Sequence, residues 1–393
     1  MNYVSAASRD IDPIARAREI GPFITAAADQ IERDQDIPAP LLAKIVEARL
    51  PRMLLPRSAG GDEVEPWIYM RAIEELSRHD GSVGWNLFVA NSAAFIAPFI
   101  PLSAAKTIFG DPRGWIACGP PNQHTMQAVP GGYRISGEWH FASGSRQSTW
   151  MGAHGHVVEP DGSLRLNRFG RPTVRTVLFP KHQRTPIEDW DTLGMRGTAS
   201  EGYRLDDVFV PEEFTGTRED PTLRRDPGPL YAFTTPGIYS VGVAGVAMGI
   251  ARAMLDEFIT LAKEKTPRGL ARLADMPVVQ SDVAHREAAL GSARAYLTEI
   301  LKDIWDAADD IAPIDLAARI RVRLGCAQAI KSAIETADYV YKAAGVSAIF
   351  KGTLFERRFR DMHTLSQQIQ SRDAHFEMVG KIMFNGDPDG LFL

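Results

Sequence analysis

The residues best suited to chemistry in this chain lie in the segment 131–150. Over positions 133–141, bulky apolar side chains alternate with polar ones, which is the pattern of a strand with one buried face. The strand then runs into Ala142, Ser143 and Gly144. A flat apolar edge followed by a small hydroxyl residue and a glycine would let a planar ring lie against the backbone, with a hydrogen-bond donor beside it. The segment therefore predicts a cofactor site.

The rest of the chain supplies the elements that must position this segment. Apolar residues at helical spacing predict helices, and short alternating runs predict strands. The helices are Ile24–Ile31, Leu41–Ala48, Trp67–Leu76, Val83–Ile100, Ile238–Lys263, Val278–Ala307, Ile314–Ala344 and Phe355–Met383. The strands are Trp115–Cys118, Tyr133–Phe141, Trp150–Val158, Thr173–Phe179 and Tyr203–Val210. Thr353 followed by Glu356 fits a capping box at the start of the last helix.

These elements fall into three zones, which indicate an α+β protein that is mostly α. Residues 1–112 are predicted to form a helical domain, and residues 113–222 contain the predicted strands. Residues 223–393 hold four helices longer than the mean for globular proteins, which favours a bundle. Small residues crowd the first helix of that bundle, and close helix packing explains them better than a flat ligand does.

Composition narrows the class of protein. The chain has 393 residues, 45% of them hydrophobic, and a formal charge of -5 from 44 basic and 49 acidic residues. This balance, without basic runs interleaved with aromatics, argues against a nucleic-acid partner. No segment has the pattern of a signal peptide or a membrane span, so we expect a cytoplasmic protein without a membrane partner. Cys118 and Cys326 lie far apart and lack metal-ligand spacing, so we expect neither a disulfide nor a metal site.

Three motifs, taken in order, resemble those of the acyl-CoA dehydrogenase superfamily, and the resemblance covers nearly the whole chain. The segment 131–144 resembles the strand that stacks on the flavin. Leu193–Thr198, followed by Val208–Pro211, resembles the close of the β domain. Phe355–Asp361 resembles the Glu-Arg-x-x-Arg-Asp signature of the last helix. The resemblance implies a helical N-terminal domain, a central β-barrel-like domain, a C-terminal four-helix bundle and a homotetramer that holds flavin between domains.

The same resemblance assigns residues that contact the flavin ring. Phe141 matches the aromatic residue on the ring, and Trp139 and Ala142 belong to the same segment. Ser143 matches the hydroxyl residue that is hydrogen-bonded near flavin N5. All four are predicted to bind the cofactor.

Two further matches lie outside that segment. Cys118 and Gly119 match the strand whose backbone faces the flavin pyrimidine. Arg268 resembles the arginine that reaches the cofactor phosphate of a neighbouring subunit. A planar guanidinium suits a phosphate because it offers parallel donors with permanent charge.

The last helix departs from the dehydrogenase pattern. An acyl-CoA dehydrogenase removes an α-proton with a glutamate while hydride passes to flavin N5. Where the family carries this glutamate, the chain has Gln367, Gln368 and Ile369, and the alternative position on the first bundle helix is Tyr239. A neutral amide cannot accept a proton, and a phenol with a pKa of about 10 is a poor base. Dehydrogenation is therefore not the expected reaction.

A second branch of the superfamily does not need that base: the two-component, reduced-flavin-dependent (group D) monooxygenases. Trp139–Gly144 with Trp150, and Asp361–Gln367, resemble this branch more closely than they resemble the dehydrogenases. The resemblance implies an oxygenase component that takes reduced FMN or FAD from a separate flavin reductase. It would transfer one oxygen atom of O2 through a C4a-hydroperoxyflavin to a small aromatic or heteroatom-containing substrate.

Catalytic candidates follow from the same comparison. Phenol hydroxylases of this branch place one histidine in the fourth N-terminal helix and another in the last helix. This chain has Asn91 and Ser92 but no histidine in the first region. In the last helix it has His363, and Gln367 and Gln368 lie around the position where a second histidine commonly falls. We therefore predict Ser143, His363, Gln368 and Asn91 as catalytic residues.

Four residues are predicted to contact the substrate. Trp85 belongs to the fourth helical region, and Tyr239 lies on the first bundle helix. Gln367 precedes Gln368, and His124 lies in a Pro- and Gly-rich loop near the expected cofactor mouth.

Two other functions stay open at this point. One is an acyl-CoA dehydrogenase-like FAD oxidoreductase with a displaced base, for which Glu201 and Asp80 are candidates. The other is a catalytically degenerate binding protein of the same fold. Bleaching of bound oxidised flavin by an acyl-CoA would support the first. A lack of stabilisation by flavin would support the second, because a ligand that binds only the folded state must stabilise it.

Overall fold

A computed structural model describes residues 12–121, 123–218, 220–308 and 312–386. Helices make up the N-terminal and C-terminal parts, and one mixed sheet lies between them. The α+β fold, mostly α, is confirmed.

The N-terminal part is built around a helix that is buried on every side. Its helices are α1 (Pro13–Asp34), α2 (Ala39–Glu47), α3 (Pro66–His79), α4 (Gly81–Ala94) and α5 (Leu102–Phe109). Every residue of α4 is buried, as expected of a helix that is apolar all round. Asp80 caps α4, and its carboxylate accepts from the Val83 N–H at 3.0 Å. The apolar run predicted to continue to Ile100 leaves the helix before Pro98, which cannot extend it.

The central part is an eight-stranded mixed sheet. Its strands are β1 (Ile116–Cys118), β2 (Thr125–Val129), β3 (Gly132–Trp139), β4 (Trp150–Val158), β5 (Val174–Pro180), β6 (Thr185–Ile187), β7 (Gly202–Pro211) and β8 (Thr215–Gly216). The order is β6-β7-β3-β2-β4-β5-β8, and β1 pairs with β4 in parallel. The sequence patterns missed β2, β6 and β8.

The C-terminal part is a bundle of long helices. They are α6 (Thr235–Glu264), α7 (Pro277–Ala307), α8 (Leu316–Ala344), α9 (Leu354–Ser366) and α10 (Ala374–Met383). The single last helix predicted to reach Met383 is therefore two helices, because the backbone becomes extended at Gln368. Thr353 caps α9 as predicted, but Glu356 pairs with Arg360 instead of completing the capping box.

Helix α6 is the centre of the molecule. By length and composition it could cross a bilayer, contrary to the sequence-based expectation. However, 83% of its most apolar window is buried inside the protein, and a core helix passes the same test. A Cβ at Gly242 would lie 2.5 Å from the Phe88 ring, and one at Gly249 would lie 2.3 Å from the Glu74 carbonyl. The small residues of α6 therefore allow close packing on α3 and α4.

Two of the sequence motifs meet at one junction. The Asp361 carboxylate on α9 accepts from the Met195 N–H at 2.5 Å, and Arg360 donates to the Leu193 carbonyl at 2.8 Å. A Cβ at Gly194 would lie 2.3 Å from the Arg360 backbone, so only glycine fits there. Burial, with the nearby Asp80 carboxylate, raises the pKa of Asp361 to about 7. The junction fixes the loop 195–201 between the sheet and the bundle.

Candidate active site

The end of β3 presents an exposed aromatic ring. The strand stops at Trp139, and Phe141 has φ = 61°, a left-handed conformation that costs a residue with a side chain about 1–2 kcal/mol. Its ring is 62% exposed, and Trp190 meets it edge-on at 6.2 Å. Backbone strain of this kind concentrates at functional sites. Phe141 is therefore held where one face can meet a planar ligand.

Trp139 and Ala142 are corrected from cofactor contacts to core residues. Both are fully buried among the side chains of the sheet. The Trp139 ring stacks on Tyr203 at 5.7 Å, and its Nε1 donates to the His154 carbonyl at 3.1 Å. The Ala142 N–H donates to the Glu201 carbonyl at 3.1 Å. Because β3 ends at Trp139 and the backbone is left-handed at Phe141, alternation along the sequence gives the wrong orientation for Phe141.

Ser143 lies in a chain of hydrogen bonds that joins α4 to the segments next to the sheet. Trp85 Nε1 donates to Ser143 Oγ at 3.0 Å, and Ser143 Oγ lies 2.6 Å from Ser200 Oγ. Ser200 Oγ lies 2.7 Å from Thr198 Oγ1, which donates to the Met195 carbonyl at 2.8 Å. Trp85, Ser143, Thr198 and Ser200 form the Ser143 wall of the site.

The proton directions along this chain follow from its last acceptor. A carbonyl oxygen only accepts, so Thr198 uses its single proton on Met195. Ser200 must then donate to Thr198, and Ser143 must donate to Ser200. Ser143 Oγ accepts from Trp85 and keeps one free lone pair. The Ser143 hydroxyl, which the sequence predicts as a hydrogen-bond donor to the cofactor, is therefore oriented as an acceptor.

Both candidates for a displaced base are occupied elsewhere. The Glu201 carboxylate is buried and accepts from Arg146 Nε at 3.0 Å. Asp80 caps α4 through the Val83 N–H, and burial raises its pKa. Neither carboxylate belongs to the contacts that join the Ser143 wall.

The opposite side of the site comes from the bundle. The Phe88 ring meets Trp85 edge-on at 4.7 Å and Tyr239 edge-on at 4.9 Å, so the aromatic contacts continue from Ser143 to α6. Tyr239 is hydrogen-bonded to Gln368, and burial raises the pKa of its phenol. The phenol therefore stays protonated at neutral pH. Trp85, Tyr239 and Gln368, predicted separately, are brought together.

A buried polar layer fixes Gln368. Its Oε1 accepts from the Gln370 N–H at 2.6 Å. Behind it, Ser240 Oγ donates to Gln370 Oε1 at 2.8 Å, and Arg323 Nη1 donates to Ser240 Oγ at 2.7 Å. These bonds hold the extended turn that separates α9 from α10, so the amide position is set by tertiary structure.

The end of β1 completes this side. The Cys118 thiol is half-buried, and it lies near enough to Tyr239 and Arg218 to interact electrostatically with both. Burial raises the pKa of Cys118, so the thiol stays protonated. A Cβ at Gly119 would lie 2.4 Å from the His140 carbonyl, so the close approach of β1 to the Phe141 segment requires glycine. Tyr239, Gln368 and Cys118 form the Tyr239 wall.

Asn91 is corrected from a catalytic to a structural residue. It is fully buried on α4, and its Oδ1 accepts from the Leu54 N–H at 3.1 Å. Its Nδ2 donates to the carbonyls of Leu50 at 2.9 Å and Leu87 at 2.8 Å. The amide therefore ties α4 to the turn after α2 and has no group directed at the site.

His124 and Gln367 are also placed apart from the two walls. His124 Nε2 lies 2.7 Å from the Glu138 carbonyl, and its ring packs on Trp139 at 4.7 Å. Gln367 is exposed, and its amide donates to Ser366 Oγ at 3.2 Å. The substrate contacts predicted for both are corrected, because His124 supports the sheet and Gln367 faces outward.

His363 and Arg268 stay predictions. His363 Nε2 lies 3.0 Å from Asp338 Oδ1 on α8 without hydrogen-bond alignment, and its ring packs on Phe359 at 4.1 Å. No contact among the described residues joins it to the Tyr239 wall. Arg268 is exposed on the turn after α6.

Sequence reasoning missed several residues of the site. Thr198 is the last residue of the Leu-Gly-Met-Arg-Gly-Thr motif and Ser200 lies two residues after it, so that motif could have pointed to them. Phe88 lies one helical turn from Trp85 on a helix with no polar face, and Trp190 and Arg218 carry no pattern at all. In the described residues, no group of three His, Cys, Asp or Glu could hold a metal ion.

Comparison with known proteins now identifies the family. Two protein-family models match the chain. The model "Acyl-CoA dehydrogenase, N-terminal domain" matches residues 17–101, and the model "Acyl-CoA dehydrogenase, C-terminal domain" matches residues 241–372. An indole-3-acetate monooxygenase from Pseudomonas putida is 30% identical over 344 residues, covering 86% of this chain and 84% of that protein. The chain belongs to the acyl-CoA dehydrogenase superfamily. Within the superfamily it lies in the branch of the flavin-dependent monooxygenases.

Other relatives support the same branch. An FADH2-dependent resorcinol hydroxylase, oxygenase component, from a Rhizobium species is 24% identical and covers 96% of this chain and 95% of that protein. The structure of XiaF from a Streptomyces species, in complex with FADH2 and glycerol, has a TM-score of 0.88 at 23% identity, covering 97% of each chain. This structural likeness shows the fold.

Proposed function

We propose that this protein is the oxygenase component of a two-component flavin-dependent monooxygenase that acts on a small aromatic substrate. Reduced FMN or FAD would come from a separate flavin reductase. When bound, the reduced flavin supplies the two electrons with which one atom of O2 enters the substrate and the other leaves as water. Relatives named for indole-3-acetate and resorcinol support an aromatic substrate.

The proposal depends on one observation. The strained, exposed Phe141 lies two residues from Ser143, whose hydroxyl oxygen has a free lone pair that can accept a hydrogen bond. Phe141, Ser143 and the β1 edge at Cys118 and Gly119 would hold the isoalloxazine. Reduced flavin carries hydrogen on N5, whereas oxidised flavin has a lone pair there. An acceptor at Ser143 therefore suits the reduced form.

The remaining residues serve the substrate. Trp85, Phe88 and Tyr239 supply an aromatic boundary that excludes water. Tyr239 and Gln368 offer polar atoms that can orient a ring hydroxyl or N–H. Neither can act as a base at neutral pH, so carbon-bound protons are not removed here.

The homotetramer and the cytoplasmic location belong to this proposal. Large apolar side chains at the C-terminal end support subunit contacts, since Val346, Phe350, Met383 and Phe384 are 63–88% exposed. Arg268 would then reach a neighbouring subunit's cofactor. Light scattering should give four chains per particle, and a monodisperse monomer would contradict this part of the proposal.

The direct test uses flavin in both redox states. Under anaerobic conditions, the Kd for photoreduced FMN or FAD should be lower than the Kd for the oxidised form. With a separately purified NADH-dependent reductase, product should form only when the aromatic substrate, O2 and this protein are all present. Equal affinity for both redox states, with bleaching of bound oxidised flavin by an acyl-CoA, would instead establish the dehydrogenase alternative.

A further inference from the structure

Arg218 is a desolvated cation without a partner among the residues that the structure describes. It follows β8 in the segment that leads to α6 and is only partly exposed. It makes no ion pair or hydrogen bond with any residue in the described ranges. Burial lowers the pKa of Arg218, and the nearby Cys118 thiol opposes this shift.

Other partly buried arginines in the same molecule do have partners. Arg146 donates to the Glu201 carboxylate, and Arg294 donates to the Glu74 carboxylate at 2.9 and 3.0 Å. An isolated charge removed from water is costly, and proteins generally pair or hydrogen-bond buried charges. Arg218 departs from that pattern, which indicates a partner supplied by a ligand.

Arg218 lines a recess between α4 and the sheet. Ala93 and Ile96 supply one apolar side, and Cys118 and Thr176 supply polar atoms opposite. The free volume is ≈ 10 Å³, on the order of one water molecule. The recess can therefore admit one oxygen atom of a ligand but not a ring. Cys118 belongs to both the recess and the Tyr239 wall, so the two spaces adjoin.

Among the described residues that line the recess, no anion competes for the guanidinium. His154, beside Thr176 at 2.8 Å, has its pKa lowered to about 3 by burial and by Arg218, so it is neutral. The Cys118 thiol is protonated because burial raises its pKa. Arg218 is the only residue that carries a charge among the described residues lining the recess.

We propose that Arg218 binds the carboxylate of an aromatic acid substrate whose ring lies against the Tyr239 wall. This rests on the proposed oxygenase function and narrows its substrate class to a ring with a short carboxylate arm. A guanidinium offers two parallel donors that match a carboxylate. The relatives named for indole-3-acetate act, by that name, on a molecule of this shape.

The test compares an acid with its neutral counterpart in binding, without turnover. Calorimetry of indole-3-acetate and 3-methylindole is run on the wild-type protein with flavin bound, and on Arg218→Met and Arg218→Lys. We expect Arg218→Met to raise the Kd of the acid by about 10- to 100-fold. The Kd of 3-methylindole should change less than twofold, and Arg218→Lys should retain part of the acid affinity.

Two controls separate this role from a structural one. Arg204→Gln removes a charge from the exposed pair with Glu138 and should leave both Kd values unchanged. Without ligand, Arg218→Met should be at least as stable as wild type, because it removes an unpaired desolvated charge. Loss of stability in Arg218→Met, or equal weakening of acid and neutral ligand, would overturn the proposal.

Further outcomes identify other anions or a different function. Tighter binding of FMN than of riboflavin that disappears in Arg218→Met would assign Arg218 to the flavin phosphate and overturn the proposal. Inorganic phosphate that competes with indole-3-acetate as strongly as benzoate does would reduce the recess to a general anion site, which also contradicts it. If the acid binds through Arg218 but is never oxygenated, the oxygenase function fails while the carboxylate site stands.

Discussion

The Ser143 wall and the recess beside the Tyr239 wall differ in how fully their polar groups are paired. Along the Ser143 wall each hydroxyl proton has an acceptor, and the chain ends on a backbone carbonyl. Next to the Tyr239 wall, the Arg218 cation has no partner among the described residues. A wall that meets one fixed ring can be rigid and pre-organised. A wall that selects among substrates must leave polar groups for the ligand to pair.

The largest effect is expected at the end of β1, where the backbone itself shapes the proposed flavin site. In Gly119→Ala, the new Cβ would lie 2.4 Å from the His140 carbonyl, a backbone atom that no rotamer change can move. We expect the free energy of unfolding to fall by about 1–3 kcal/mol and reduced-flavin affinity to be lost. Chemical denaturation and flavin titration measure the two effects.

Gly291→Ala on α7 is the matched control, because its Cβ meets nothing within 4 Å. It should be neutral or stabilise the fold by up to about 1 kcal/mol. If Gly119→Ala binds flavin as wild type does, flavin binding does not require β1 to approach the Phe141 segment closely. The description of the flavin site at the end of β1 would then be wrong.

Ser143→Ala should give the next largest effect. It leaves the buried Trp85 N–H without an acceptor, at a cost of about 1–3 kcal/mol in unfolding free energy. The sequence alone assigns the Ser143 hydroxyl only to the cofactor and so predicts little effect of this substitution on folding. Product formed per O2 consumed should also fall, since the acceptor beside flavin N5 is gone. Ser163→Ala, in an exposed turn, should change neither quantity.

Tyr239→Phe tests the other wall and should have a smaller effect. It removes the phenol that is bonded to Gln368 and keeps the ring packing on Phe88. We expect KM for a hydroxylated or N–H-bearing aromatic to rise about 5- to 10-fold, for one hydrogen bond of about 1 kcal/mol. The Kd of reduced flavin should stay the same. If flavin affinity changed as much as KM, the two walls would not have separate roles. Tyr296→Phe, at an exposed position on α7, is the control.

Asp361→Asn should affect the site least and the pH dependence of stability most. Burial and Asp80 raise the pKa of Asp361 to about 7, against about 3.9 in an unfolded chain. The native state therefore holds a proton that the unfolded state releases. Its stabilising effect is complete below about pH 4 and is lost as the pH rises to about 7. Asparagine keeps an acceptor for the Met195 N–H and does not titrate.

Urea denaturation at pH 5, 6 and 7 compares the two proteins. Wild type should lose stability across this range, and Asp361→Asn should lose less. Parallel curves would mean that Asp361 is ionised throughout.

The sequence predicted features that local patterns encode. The order of helices and strands follows from apolar spacing, and the Phe141–Ser143 segment follows from one strand and its end. The orientation of side chains within that segment was harder to predict, because β3 ends at Trp139 and the left-handed backbone at Phe141 exposes its ring while Trp139 stays inside. Alternation of residue types does not show where the strand ends.

Tertiary pairing explains the other corrections. Asn91 and His124 have residue types suited to catalysis, but backbone carbonyls and N–H groups from distant segments use their polar atoms. Gln368 reaches Tyr239 only because helix α9 ends before it. Whether an arginine finds a carboxylate also depends on the whole fold, so nothing in the sequence distinguishes Arg218 from Arg146.

A single turnover under ¹⁸O2 tests the central claim most directly. The protein is loaded anaerobically with one equivalent of reduced flavin and an aromatic substrate, then exposed to the labelled gas, and the product is analysed by mass spectrometry. We predict one ¹⁸O atom per product molecule, with none incorporated when the label is in water. Complete conversion of the O2 to hydrogen peroxide, with the substrate unchanged across phenols, indoles and aryl acetates, would contradict the account.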